Sequence, residues 1–209
     1  PANRQWVMID CGVMFGDLTT PGVDLICPDP SYILEEKEAL HGLLLTHGHE
    51  DHIGAVALLA PKLGCPIYAT PFTAALVARK FAEYEVEGIE LNVIDMNARF
   101  KLGPFDIEYV TLTHSIPEPS GVILRTDLGT VLHTGDWKID ATPALGPVTD
   151  SGTIKKLGDD GLLAMVCDST NVLSSGESGS ESAVRTSLTK LIAEQEGRVA
   201  VTTFASNVF

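Results

Sequence analysis

A chain of 209 residues can bury the core of one compact domain, and its 44% hydrophobic and 20% charged residues exclude wholesale disorder. The net charge of −14 argues against a protein that holds nucleic acid by bulk electrostatics, but not against a metal site that binds one phosphate. No apolar run reaches the roughly 18 residues of a membrane span, no secretory signal is visible, and the four cysteines form no C-x-x-C pair. These features favour a cytoplasmic protein.

Short strands rich in Leu, Ile, Val and Thr are predicted in the first two thirds of the chain, at residues 4–10, 41–46, 105–113, 121–126 and 130–135. The turn Leu128-Gly129 predicts a hairpin between the last two. Helices are predicted over residues 53–63 and 71–85. The second begins with a proline, which costs no hydrogen bond at that position.

The last part of the chain predicts two buried strands, at 162–167 and 198–203, that enclose a helix over 181–196. Four apolar side chains would share one face of that helix, namely Val184, Leu188, Leu191 and Ile192. A Ser/Gly-rich connection precedes the helix, and Gly197 ends it. This order of strands and helices favours an α/β sandwich, and the abrupt ends suggest a fragment of a longer polypeptide.

Three of the six histidines lie within residues 47–52, which follow an apolar strand and read His-Gly-His-Glu-Asp-His. Imidazole and carboxylate groups are suitable ligands for Zn²⁺ and related ions. On a nearly extended turn His47 and His49 can converge on one ion, whereas Asp51 and His52 would address a second. These four side chains within six residues have no packing rationale, so the cluster predicts a site for divalent metal ions.

The spacing His-x-His-x-Asp-His after a short strand resembles a motif of the metallo-β-lactamase fold, and residues 45–55 resemble the ribonuclease J family of β-CASP nucleases. Asp10 resembles an aspartate that supports the metal ligands from behind. His114 and Asp136 resemble the third-motif histidine and the bridging aspartate. Residues 167–171 and 203–208 also match, so the resemblance covers nearly the whole chain.

The resemblance implies an αββα sandwich with two zinc ions, or manganese in their place. One ion would be held by His47, His49 and His114, the other by Asp51 and His52, with Asp136 bridging both. Asp51 and Asp136 would be the catalytic residues that orient and deprotonate the attacking water, and Asp10 would orient the ligands.

By the same resemblance, residues 1–196 would be the N-terminal part of a metallo-β-lactamase domain, and 197–209 the start of an inserted β-CASP region. The remainder of that region, and the late histidine that completes the second metal site, have no counterpart here. The implied function is a metal-dependent ribonuclease in RNA processing and decay, a 5′-to-3′ exonuclease that could also cut internally. The implied partners are RNA, further copies in a homo-oligomer, and an RNA-degradation assembly.

Two other functions stay open. The fold also hosts small-molecule hydrolases, such as thioester or lactone hydrolases, and a scaffold could carry metal without catalysis. Residues 113–117 and 203–207 favour the nuclease. Among the remaining polar residues, His41 and His133 are predicted to be structural, Asp168 to stabilise a turn, and Glu50 to face solvent or bond to its loop.

Overall fold

Two β-sheets and their flanking helices make up residues 4–204, the part of the chain that the computed structural model describes. The first sheet has four parallel strands in the order β1-β4-β5-β6, which are Trp6–Ile9, Leu40–Leu44, Ile67–Ala69 and Leu91–Val93. The second has the order β11-β10-β9-β8-β7, with Ala164–Val166, Gly129–His133, Ser120–Thr126, Phe105–Thr111 and Arg99–Leu102. It is antiparallel except for the pair β10 and β11.

A two-stranded hairpin lies apart from both sheets and consists of Met14–Phe15 (β2) and Leu25–Ile26 (β3). The α-helices are Ser31–Glu35 (α1), Glu50–Ile53 (α2), Val56–Leu63 (α3), Pro71–Glu83 (α4), Ser151–Asp160 (α5) and Glu181–Ala193 (α6), and one 3-10 turn covers Lys37–Ala39. Within residues 4–204 no helix is long and apolar enough to cross a membrane.

Strand β4 shows how the layers form, because its side chains alternate between two cores. Leu43 packs into a cluster between the first sheet and the helices α3 and α4, together with Ile67 and Val77. Leu44 faces the other way, into a cluster with Ile107 and further side chains of the second sheet. A third cluster lies between the second sheet and α5. The order helix, sheet, sheet, helix confirms the predicted αββα sandwich.

The C-terminal part differs from the sequence prediction in three ways. Residues 198–203 form no strand and are exposed. The strand predicted at 162–167 is present only as β11, and its side chains are exposed rather than buried. The helix ends at Ala193, and its apolar face is 38–61% exposed. The β-branched pattern of this segment was a wrong guide because strand preference depends on the packing context as well as on the residue types.

Other differences are local. The helix predicted at 53–63 begins at Glu50 and is interrupted after Ile53, so α2 and α3 are separate. The hairpin predicted at Leu128-Gly129 is confirmed, since it connects the antiparallel strands β9 and β10. Residues 205–208 of the family resemblance, and the remainder of the predicted 197–209 region beyond residue 204, lie outside the described residues, as do residues 1–3.

Candidate metal centre

The candidate site lies at the carboxyl edge of the first sheet, where it meets the second. Strands β1 and β4 are parallel, so Asp10 at the end of one lies beside the loop that follows the other. That loop carries His47 and His49 and leads directly into α2. The loop between β8 and β9 contributes His114, and the segment after β10 contributes Asp136. Strand ends on a packed scaffold hold loop side chains in fixed positions, which a metal centre requires.

Three imidazoles form the first potential ligand set. His49 Nδ1 lies 3.1 Å from His47 Nε2 and 3.1 Å from His114 Nε2. One ligand atom from each ring lies within 4.8 Å of the other two, so one ion could contact all three. His47 is buried, and the other two are half-buried.

The second potential ligand set consists of His47, His52 and Asp136, again with ligand atoms within 4.8 Å of one another. Asp136 Oδ1 lies 3.3 Å from His52 Nε2, and its Oδ2 lies 3.7 Å from His114 Nε2. The carboxylate therefore stands between the two sets. The sequence-based grouping differs in one respect, because it placed Asp51 rather than His47 with His52.

Asp51 lies beside the cluster but belongs to neither set. Its Oδ2 is 3.6 Å from His52 Nε2, and its side chain is 65% exposed. The carboxylate thus faces the open side of the site, where a substrate would approach. Its backbone is tightly held, since a Cβ on Gly12 would come within 1.7 Å of the Asp51 carbonyl oxygen. Only glycine permits this close approach between the end of β1 and α2.

Asp10 connects the cluster to the sheet. Its Oδ1 accepts from the Thr46 N–H at 2.8 Å, and its Oδ2 accepts from the Thr46 hydroxyl at 2.8 Å and from His52 Nδ1 at 2.7 Å. The backbone of Asp10 is left-handed, with φ 59°. Such a conformation is strained for a residue other than glycine and is characteristic of functional sites. The bond to Nδ1 leaves Nε2 of His52 as the nitrogen available to a metal.

The cluster is electrostatically uneven. Burial, together with the neighbouring histidines, lowers the pKa of His47 to about 2, and burial also lowers the pKa of His114. Burial opposes the charged form of His52 too, but bonds to Asp10 and Asp136 outweigh it and raise its pKa to about 10. The same bond from His52 lowers the pKa of Asp136 to about 2. Neutral imidazoles and an ionised carboxylate are the forms that bind metal, so His47, His114 and Asp136 are ready to bind, whereas a metal ion must displace a proton from His52.

Two side chains hold the ligand loops and were not found from the sequence. Lys80 on α4 forms an ion pair of 2.7 Å with Glu50 at the start of α2. Glu118, which follows the His114 loop, accepts from the Phe72 N–H in the first turn of α4 at 2.8 Å. Both contacts join segments that are distant in the sequence, so no local pattern could indicate them.

The other polar residues behave as follows. Glu50 bonds to Lys80 and not to its own loop. His133 Nδ1 accepts from the Gly135 N–H at 3.1 Å, and His41 bonds to Gln5, so both contacts are structural. Asp168 Oδ1 accepts from the Thr170 N–H at 2.8 Å, which confirms the predicted turn.

The donor set fits divalent ions that accept nitrogen and oxygen ligands. The sets offer three nitrogens, and two nitrogens with one carboxylate oxygen, which is a composition typical of zinc centres in hydrolases. His47 is buried among three other histidines, which disfavour its charged form, and Asp136 is the neighbouring group that favours that form. A shared metal site accounts for this arrangement of like groups.

An αββα sandwich with such a cluster at its sheet edge defines a class of protein, and the sequence comparisons agree. A family model described as a beta-lactamase superfamily domain matches residues 5–149. The chain therefore belongs to the β-lactamase superfamily. A solved structure of an Enterococcus faecalis V583 protein of unknown function shares the fold, with a TM-score of 0.63 and 16% identity over 93% of this chain and 54% of that one.

More specific relatives are ribonucleases J, so the family resemblance found in the sequence is confirmed. Ribonuclease J of Sinorhizobium meliloti is 50% identical over all of this chain and 37% of its own length. Ribonuclease J of Corynebacterium glutamicum is 41% identical over 99% of this chain and 29% of its own length. The chain thus spans about a third of the length of the curated relatives it matches.

Proposed function

We propose that this chain carries the metal centre of a ribonuclease J-like enzyme that hydrolyses RNA phosphodiester bonds as a 5′-to-3′ exonuclease and could also cut internally. The observation that carries the proposal is the pair of adjoining ligand sets that share His47, with Asp136 between them. Identity of 50% with a ribonuclease J over the whole chain supports RNA as the substrate.

The residues take distinct roles in this proposal. His47, His49 and His114 would hold one divalent ion, and His52 with the neighbouring Asp51 would hold the other, while Asp136 would serve as a ligand to both. Two zinc or manganese ions, when bound, lower the pKa of a shared water and stabilise charge on the attacking and leaving oxygens. Asp51 and Asp136 orient that water and accept its proton. Asp51 suits the role because its carboxylate is exposed next to His52.

Asp10 acts through His52 and not on the substrate. By accepting from His52 Nδ1 and from both donors of Thr46, it fixes the ring plane of one ligand and the start of the ligand loop. Such outer contacts typically change metal affinity by about 10- to 100-fold when they are lost.

The decisive experiment compares turnover of 5′-monophosphorylated RNA with turnover of thioester and lactone substrates. The protein is stripped with a chelator and reloaded with zinc or manganese. RNA hydrolysis that is lost on chelation and restored by metal is expected, with mononucleotides released from a 5′-labelled strand. Faster hydrolysis of a thioester or lactone would assign the chain to the small-molecule hydrolases of the fold instead.

Variants make the assignment specific. Asp51→Ala and Asp136→Asn are expected to abolish RNA hydrolysis while the melting temperature stays near the wild-type value. Asp106→Asn is the matched control, because Asp106 pairs with Arg99 on the edge of the second sheet, away from the cluster. Wild-type turnover by Asp51→Ala would refute its catalytic role. A different result would favour a scaffold: variants that lack the metal-ligand side chains would still fold, bind their partners and keep their activity in cells.

The proposal extends to the longer protein of which such a chain forms part in its relatives. There we propose a metallo-β-lactamase domain over residues 1–196, a β-CASP region that begins at 197–209, cytoplasmic location, and homo-oligomers that could join an RNA-degradation assembly. Light scattering and pull-down of RNA-decay proteins test the last two points.

A further inference from the structure

The two sides of the metal cluster differ in chemistry. On one side, a cavity of about 450 Å³ lies between Asp51 and the β2–β3 hairpin, and its lining contains Met14 and Ile26, two aspartates and no cation. On the other, a cleft of about 290 Å³ lies between the ligand loop and α4, and its lining contains two cations, Arg79 and Lys80, which balance two acids, Glu50 and Glu83. A polyanion that passes over the cluster is therefore favoured on the α4 side.

The cleft begins at the metal loop itself. Helix α4 faces it with Leu76, Arg79, Lys80 and Glu83, which recur at the spacing of one helix face. Leu76 packs on the loop so closely that a Cβ on Gly48 would lie 2.6 Å from its Cδ1. Arg79 is thus one turn from the loop, whereas Glu83 is about 10 Å from Leu76 along the helix. The cationic end of the cleft is the end beside the cluster.

Only one of the two cations is available for a ligand. Lys80 is neutralised by Glu50 at 2.7 Å. Arg79 is exposed, and among residues 4–204 it has neither an ion-pair nor a hydrogen-bond partner. A guanidinium with five free donors matches the oxygens of a phosphate. In a chain with a net charge of −14, an unpaired arginine at the metal loop is a specific feature.

An aromatic ring completes the cleft. Phe204 also lines it and is 69% exposed. Single-stranded nucleic acids are held by cations that contact the backbone and by aromatic rings on which bases stack. Arg79 and Phe204 supply one group of each kind within one cleft.

We propose that this cleft binds the nucleotide next to the scissile phosphodiester, with Arg79 on its phosphate and Phe204 stacked on its base. The inference rests on the proposed nuclease function and adds to it the path of the strand, which leaves the cluster along α4. Stacking on one face of a base is tolerant of sequence, so the cleft selects single-stranded polynucleotide and not a particular base.

Binding to a fluorescent phosphorothioate oligouridylate, which keeps the backbone charge and resists hydrolysis, is measured by anisotropy on the metal-loaded protein and tests the cleft. Arg79→Gln is expected to weaken binding and to reduce the slope of log K against log salt by about 0.7, the value for one lost phosphate contact on a single strand. Phe204→Ala is expected to weaken binding about tenfold, and Phe204→Trp to restore it. Glu83→Gln is expected to strengthen binding, because it removes a negative charge from the lining.

Arg185→Gln is the control, since Arg185 is an exposed arginine on α6 outside the cleft and its loss leaves binding unchanged. The proposal that the cleft binds RNA would be overturned if the wild type, Arg79→Gln and Phe204→Ala bound equally well, or if the wild type did not bind. Hydrolysis of bis(p-nitrophenyl) phosphate by the wild-type protein tests the phosphodiesterase function separately, because this small diester has no base. A lack of hydrolysis of this diester would count against the nuclease function. The anisotropy measurement would still decide whether the cleft binds the oligonucleotide.

Discussion

The two parts of the chain, which meet near residue 160, are stabilised by different kinds of contact. The buried residues of the three hydrophobic clusters all lie within residues 4–160, and the ligand residues follow strands β4, β8 and β10, each of which places side chains in these clusters. In residues 161–204 no side chain is buried. The helix α6 is instead held at its first turn by polar contacts with the loop at 138–144. All the candidate ligand residues therefore lie in the first part, although Val166 and Asp168 of the second part bond to Thr134 in the segment that carries Asp136.

The largest expected effect concerns matched leucines in the two parts. Leu43→Ala in β4 empties a fully buried site and is expected to lower the free energy of unfolding by about 2–5 kcal/mol. Leu188→Ala in α6, where the side chain is 41% exposed, is expected to cost less than about 0.5 kcal/mol. Urea unfolding followed by circular dichroism measures both. A similar loss for the two variants would contradict the contrast between the parts.

The next effect concerns the connection between sheet and metal centre. Asp10→Asn places an amide where three donors meet two carboxylate oxygens, so at least one donor loses its acceptor. We expect metal affinity, measured by competition with a chromophoric chelator, to fall about 10- to 100-fold. The pKa of His52, measured by NMR on the metal-free protein, is expected to fall from about 10.

Asp127→Asn at the exposed hairpin turn is the matched control for this prediction and should leave the affinity unchanged. If Asp10→Asn also binds metal as tightly as the wild-type protein, then Asp10 serves only the packing of β1 and not the ligands.

The pH dependence of the metal-free protein is the third test. The fold lowers the pKa values of His47 and His114. The free energy of unfolding therefore loses the contribution of these two residues as the pH falls below their unfolded value near 6.5, and retains it above that value. His52 has its pKa raised to about 10, so its contribution is present below 6.5 and is lost as the pH rises toward 10. Asp136 contributes above its unfolded value of 3.8.

The free energy of unfolding in a chelator should therefore be greatest near pH 6.5, with each group adding a slope of at most about 1.4 kcal/mol per pH unit. Denaturant titrations from pH 4.5 to 9.5 measure this curve. His41→Gln, outside the cluster, should keep its shape. A stability that rises continuously through pH 6.5 in either direction would contradict the burial of neutral histidines beside a protonated His52.

The first part of the chain was also the more predictable one. The ligands of the 47–52 loop are visible because they are adjacent in sequence, whereas His114 and Asp136 were assigned only by family resemblance. The strands β5, β6 and β7 have three or four residues each, too few for a periodic pattern to form. Helix α5 was missed although Asp150 caps it, since its sequence Ser-Gly-Thr-Ile-Lys-Lys-Leu has few apolar positions.

The contacts that escaped the sequence are those that only tertiary structure creates. Glu118 reaches the first turn of α4, and Lys80 reaches Glu50, across intervals that no local motif covers. The opposite error occurred at 198–203, where β-branched residues such as Val199, Val201 and Thr202 predicted a strand that the structure does not form. Local pattern thus indicates which side chains can act, and long-range packing decides where they stand.

The smallest effect concerns the polar connection that holds α6. Asp140 accepts from the Glu181 N–H at 2.8 Å and from the Thr142 N–H at 2.9 Å, and these donors hold its pKa well below the ordinary value. Asp140→Asn weakens both bonds without touching the apolar core. We expect trypsin to cleave α6 faster at Arg185 and Lys190, while metal affinity changes by less than about twofold because additivity holds for separate sites. Unchanged cleavage would show that α6 is held by its apolar face instead, and a large loss of metal affinity would show that the two parts are one cooperative unit.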